Sequence, residues 1–166
     1  MRKGTVQIYS GEGIGKSSAA IGRAIEMAEC GKNVVVIRFL KSAGGSDILK
    51  RLEPEIKVFR FEKSEIDFSD LTEDLKQEEV SNIMNGLNFA RKVLSTGECD
   101  LLVLDELLGI IDNGIIGVEE LKEILNVRGE NQSVIMTGIQ LCDDVCTLAD
   151  DIFRIDTVKF KIFSEE

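Results

Sequence analysis

The sequence contains no histidine and no tryptophan, and only one proline and one tyrosine. Without an imidazole, histidine activation of a nucleophile, histidine general-base catalysis and histidine metal ligation are all excluded. Its four cysteines, Cys30, Cys99, Cys142 and Cys146, form no C-x-x-C pair. Cys142 and Cys146 are spaced as neighbours on a helix, so neither a zinc site nor a disulfide framework is expected. Free, mostly buried thiols in a reducing compartment are the expectation instead. Excess positive charge is missing too: 20 Lys and Arg stand against 30 Asp and Glu, a net −10, which argues against nucleic acid as a partner. Runs such as "NVVVIRFL" and "DLLVLDELLGII" are too short and too interrupted by charge to cross a bilayer. The opening "MRKGTVQIY" enters a strand pattern with no signal segment, so the expectation is a cytoplasmic protein with no membrane partner.

What is present is ordinary globular material: 166 residues, 43% apolar and 30% charged, enough for one domain over residues 1–166 with a real core. Short β-branched runs at 5–10, 33–40, 56–61, 100–107 and 133–138 read as strands. Several are apolar at consecutive positions, as in parallel strands covered on both faces. Between them, residues 16–31 place Ala20, Ala24, Met27 and Ala28 on one helical face and end at Gly31. Residues 70–97 repeat Leu75, Ile83, Leu87, Ala90 and Leu94 at helical spacing, and 117–129 form a third helix. The closing "DIFRIDTVKFKIF" reads as two short strands at a sheet edge, and the acidic "EKSEIDFSDLTEDLKQEE" as a solvated loop and helix start. The alternation predicts an α/β fold with a mostly parallel sheet and helices on both faces.

"SGEGIGKSS" follows the first strand and opens the first helix. Gly15, Lys16 and Ser17 match the G-x-x-x-x-G-K-[ST] phosphate loop, with Ser10 in place of its first glycine. Gly11, Gly13 and Gly15 give the backbone freedom for a nest of N–H groups around an anion. Lys16 is expected to reach the phosphates and Ser17 to bind Mg²⁺. "LLVLDE" is an apolar strand ending in Asp105 and Glu106. Buried carboxylates need a cation or hydrogen bonds, so Asp105 is expected to hold that Mg²⁺ through water, with Glu106 beside it. Together these segments predict a nucleoside triphosphate site on a P-loop, RecA-like domain.

These blocks, with "GKNVVVIRFLK", "VIMTG" and "LADDI", resemble in order and spacing the ATP:cob(I)alamin (corrinoid) adenosyltransferases over residues 5 to 155. That family also carries a small hydroxyl residue where Ser10 stands. The resemblance implies that a Co(I) corrinoid attacks the 5′ carbon of ATP and triphosphate leaves. The nucleophile is then the metal of the substrate, so the protein needs neither a side-chain nucleophile nor a histidine base. Implied nucleotide contacts are Ser10, Gly11, Glu12, Gly13, Ile14, Gly15, Lys16, Ser17 and Ser18, with Arg38 and Lys41 nearby. The catalytic group would be Lys16, Ser17 and Glu106, and the metal group Ser17, Asp105 and Glu106. Phe59, Phe61 and Phe68 are the aromatics available to a corrin. Phe59 and Phe61 are expected in the core, and Phe68, in a polar loop, is the better exposed contact. A homodimer and an electron-donating flavoprotein are further implications.

Several positions depart from the family. It usually has Lys at Ile14, Arg at Ile139, Gln-Phe-x-Lys-Gly where Arg38-Phe39-Leu40-Lys41-Ser42 stands, and a tryptophan in the corrinoid region. Two alternatives follow: a P-loop small-molecule kinase or ATPase, and a non-catalytic nucleotide- or corrinoid-binding relative. Against the kinase, only Arg128 and Arg154 lie beyond Glu106, leaving no arginine-bearing lid.

Overall fold

The computed structural model describes residues 3–40, 47–64 and 66–159. Lys41 lies outside them. Six strands, β1 (Val6–Ser10), β2 (Val34–Arg38), β3 (Ile56–Arg60), β4 (Leu101–Asp105), β5 (Ser133–Gly138) and β6 (Asp151–Arg154), form one sheet in the order β3-β2-β4-β5-β1-β6. Every pairing is parallel, so the sheet is wholly rather than mostly parallel. Among the described residues five α-helices accompany it: α1 (Lys16–Glu29), α2 (Glu73–Thr96), α3 (Leu107–Asp112), α4 (Val118–Asn126) and α5 (Asp143–Cys146).

Apolar runs make this possible because successive residues of a strand face opposite sides of the sheet. In β2 and β4, Val34, Val36, Leu101 and Val103 pack beneath α1, against Ala20 and Ala24. Val35, Ile37, Leu102 and Leu104 face the other way, into the larger core with Ile83, Leu87, Ala90, Val93 and Leu94 of α2 and Leu121 and Ile124 of α4. Gly31 (φ 73°) and Gly97 (φ 70°) follow the ends of α1 and α2 in the left-handed conformation.

Some expectations shift. The fourth strand stops at Asp105, because Glu106 turns to φ 65° and Leu107 starts α3. Leu75 is 45% exposed, on the outer face of α2. Of the cysteines only Cys99 is buried, Cys30 and Cys142 being exposed on polar connections. Of the two closing strands only β6 is present within the described residues, at the sheet edge beside β1.

Candidate functional site

All six strands end on one side, and in an open parallel sheet ligands bind outside those carboxyl ends. There β1 passes through Ser10 into residues 11–15, and α1 begins at Lys16. Gly15 takes φ 116°, a conformation that a side chain would strain, and swings the chain into the helix. The first N–H groups of α1 have no carbonyl within the helix, the arrangement that favours an anion at a helix N-terminus. The Lys16 side chain is folded back over the loop, its Nζ donating to the Gly13 carbonyl at 2.9 Å, and the residue is buried. The loop rests on residue 155: Gly13 N–H donates to the Ile155 carbonyl (2.9 Å) and Ile155 N–H to the Ser10 carbonyl (2.8 Å). Gly11 N–H donates to the Ile139 carbonyl at 3.2 Å. Two of the three glycine amides therefore brace the loop instead of lining a nest, and a Cβ at Gly11 or Gly13 would lie 2.5 Å from the Ile155 oxygen.

Asp105, 2% exposed at the end of β4, is the hub of the site. Its Oδ1 accepts from Ser17 Oγ (2.6 Å) and Thr137 Oγ1 (2.8 Å), and its Oδ2 from Arg38 Nε (3.2 Å). Register explains the last contact, because Arg38 of β2 lies directly beside Asp105 of β4. Arg38 is thus the counter-ion of Asp105, a contact that sequence reasoning did not foresee. The Glu106 N–H donates to Thr137 Oγ1 at 2.9 Å, so one hydroxyl orients both members of the Asp-Glu pair. Glu106 holds a left-handed conformation without being glycine, a strain that costs roughly 1–2 kcal/mol and is commonly found at functional positions.

The structure brings Ser10, the 11–15 loop, Lys16, Ser17, Arg38, Asp105 and Glu106 to one end of the sheet. Thr137 was missed. Its signal was a lone hydroxyl residue closing the buried run "SVIMTG". Ile14, 96% exposed, and Ile139, 53% exposed, flank the loop as apolar side chains. Phe68 stands elsewhere, beyond β3 on a 3₁₀ turn, Phe68–Asp70, and is half-buried instead of projecting from a loop. It lines a shallow cavity with Leu40, Leu71 and Glu79, and Lys76 Nζ lies 6.0 Å from its ring centre. Phe59 and Phe61 pack on the larger core and on Phe89, the Phe59 ring edge-on at 4.6 Å, as expected of core aromatics.

A KaiC-like protein of Pyrococcus horikoshii OT3 superposes on 98% of this chain and 76% of its own with a TM-score of 0.64, at 19% identity. Fold, loop and Asp105 together define a domain of the P-loop class. The sequence narrows the class: the model of the family "ATP:corrinoid adenosyltransferase BtuR/CobO/CobP" matches residues 2–165, and the chain belongs to that family. The corrinoid adenosyltransferase CobA of Salmonella typhimurium is 29% identical over 157 residues, covering 95% of this chain and 79% of the relative. The corrinoid adenosyltransferases of Escherichia coli K12 and Pseudomonas aeruginosa are 28% and 26% identical, each over 95% of this chain.

Proposed function

We propose that this chain transfers the 5′-deoxyadenosyl group of ATP to the Co(I) of a reduced corrinoid and releases triphosphate. The carrying observation is the phosphate loop set against Asp105, with Ser17 and Asp105 in contact at 2.6 Å, in a member of this family. The cobalt lone pair forms the bond to C5′ as the C5′–O bond breaks, and the electron pair departs on the triphosphate oxygen. The nucleophile belongs to the substrate, so the protein needs only to position ATP and stabilise the departing charge.

Lys16 would leave the Gly13 carbonyl for a phosphate oxygen, gaining a charge-assisted bond in place of a neutral one. The first N–H groups of α1 and the Ser10–Ser18 loop hold the rest of the triphosphate. Ser17 and Asp105 fit Mg²⁺, since a hydroxyl and a carboxylate oxygen converge and this ion ordinarily completes its shell with phosphates and water. The described residues contain no cluster of three acidic or sulfur ligands, which accords with a site completed by substrate. When bound, the ion would neutralise part of the departing charge. Glu106 adds a second carboxylate beside it, and Phe68 the apolar surface for the corrin. Cytoplasmic location, a homodimer and a flavoprotein electron donor complete the reading. The acceptor is cobalamin, cobinamide or cobyrinic acid a,c-diamide.

The test is anaerobic incubation with ATP, Mg²⁺ and chemically reduced cobalamin or cobinamide, followed by chromatography of both products. Adenosylcorrinoid with equimolar triphosphate is expected, and Lys16→Ala should reduce its formation at least about 100-fold, as loss of one transition-state donor does. ADP in place of triphosphate would make the chain a kinase or ATPase. ATP bound but left intact with every corrinoid would make it a non-catalytic relative.

A further inference from the structure

A triphosphate carries several negative charges, and Lys16 supplies only one positive charge at the loop. Arg38 is committed to Asp105 at 3.2 Å. Ile14 and Ile139, exposed beside the loop, bring no charge. On the β6 side of the loop lies a cavity of about 630 Å³, with Ser10, Gly11 and Glu12 on one wall and Arg154 and Asp156 on another. Among the described residues Arg154 is the one cation lining it.

Strand pairing puts Arg154 there. It closes β6 directly beside Ser10, which closes β1. The next residue, Ile155, donates to the Ser10 carbonyl and accepts from the Gly13 N–H, so the loop and the Arg154 backbone form one braced unit. The Arg154 side chain is 72% exposed, with its Nη2 3.5 Å from Asp156 Oδ2. An exposed ion pair of this kind is weak and open to exchange. Asp156 Oδ1 lies 3.0 Å from the point where a Cβ on Gly11 would stand, so the partner of Arg154 rests against the loop itself. Arg154 is therefore held as Lys16 is, on an acceptor of the protein at the edge of the phosphate loop.

We propose that Arg154 leaves Asp156 to bind the outermost phosphate of the triphosphate and holds it as the leaving group. The inference rests on the proposed transferase activity, with the corrin on the Phe68 side. C5′ then points towards β3, and β3 and β6 are opposite edges of the sheet, so the far end of the triphosphate runs towards β6. A guanidinium matches two phosphate oxygens at once. Glu12, Asp143 and Asp156 line the same cavity and oppose an anion, which makes its single guanidinium decisive. Asp156 is a competitor of the phosphate for that group.

The experiment titrates the full chain calorimetrically with inorganic triphosphate and with pyrophosphate, each with Mg²⁺, and follows adenosyl transfer to reduced cobinamide as ATP is varied. Arg154→Ala should weaken triphosphate about tenfold and pyrophosphate much less, with a parallel rise in the KM for ATP. Arg154→Lys should recover part of the loss, since charge returns without the two-pronged geometry. Asp156→Asn should bind triphosphate more tightly, its competing carboxylate being gone. Lys32→Ala removes a cation beyond the opposite ends of the strands and should change neither titration. Triphosphate affinity in Arg154→Ala within about twofold of the native value, or an equal loss for both anions, would overturn the proposal. So would weakening by Asp156→Asn as large as that by Arg154→Ala, which would make the pair a brace of the loop. Native protein that binds triphosphate through Arg154 but forms no adenosylated product would instead overturn the transferase reading and leave the phosphate contact standing.

Discussion

Asp105 shows how single residues are held at this site. A carboxylate at 2% exposure would be costly alone, but Ser17, Thr137 and Arg38 give it three donors between 2.6 and 3.2 Å. Any of the three can be displaced only if another donor or a cation takes its place. Cys99 illustrates the opposite case, a titratable group buried without a charged partner of opposite sign. Burial foremost, then the negative charges of Asp100 and Glu98, pushes its thiol up to about 12. The folded state therefore keeps a proton that the unfolded chain loses near pH 9, and stability must fall as pH rises from about 9 to 12. Urea unfolding at pH 8, 9 and 10 should show that decline. In Cys99→Ala the slope with pH should be shallower, even though the variant is less stable at every pH. An unchanged slope would remove Cys99 from the account.

At the scale of elements, α2 is the most consequential piece, because its inner face supports both the sheet and the aromatic wall. Gly86 sits where Phe39 and Phe61 cross the helix, and a Cβ there would lie 2.7 Å from the Phe39 Cε1 and the Phe61 Cγ. Alanine would improve helix propensity by up to about 1 kcal/mol. Phe39 is wholly buried and cannot retreat, so overpacking of about 1–3 kcal/mol should win. Gly86→Ala is expected to lower the denaturation midpoint, and it should weaken corrinoid turnover more than ATP binding, since Phe61 leads into the Phe68 segment. A midpoint that rises would mean the aromatic wall adjusts freely. The junction of β4 and α3 shows a second dependence: Glu106 can turn sharply because Thr137 of β5 holds its N–H.

At the scale of the whole molecule, the parallel sheet gathers the loop after β1, Arg38, Asp105 and Thr137 at the carboxyl ends of its strands, though they are spread over the sequence from Ser10 to Thr137. Ligand binding should therefore be felt globally. ATP with Mg²⁺ at about 100 times its dissociation constant stabilises the folded state by about 2.7 kcal/mol. For a chain of this size that corresponds to a rise in Tm of roughly 5–10 °C. Thermal melts with and without ATP should show the shift in the native protein and lose most of it in Lys16→Ala. An equal shift in both would place the nucleotide away from the loop.

Local chemistry was legible from the sequence. Glycine spacing announced the strand-to-helix turn before Lys16 because the conformations such a turn needs are set within a few consecutive residues, whereas the bonding of the Gly11 and Gly13 amides to Ile139 and Ile155 was not set there. Likewise, the alternation of β-branched runs with helical periods announced α/β architecture, because each period is dictated by its own backbone geometry. Strand order, and everything that depends on it, was decided only by tertiary structure. Nothing local says that β2 lies beside β4, and that adjacency makes Arg38 the partner of Asp105. Nothing local says that β5 lies between β4 and β1, and so Thr137 went unnoticed until the sheet placed it against Asp105. The same holds for Glu79, read as one more charge in a solvated stretch until the fold buried it beside Phe68. Hydrogen bonds and desolvation act over a few ångströms of space, and sequence separation says nothing about which distant residues will share them.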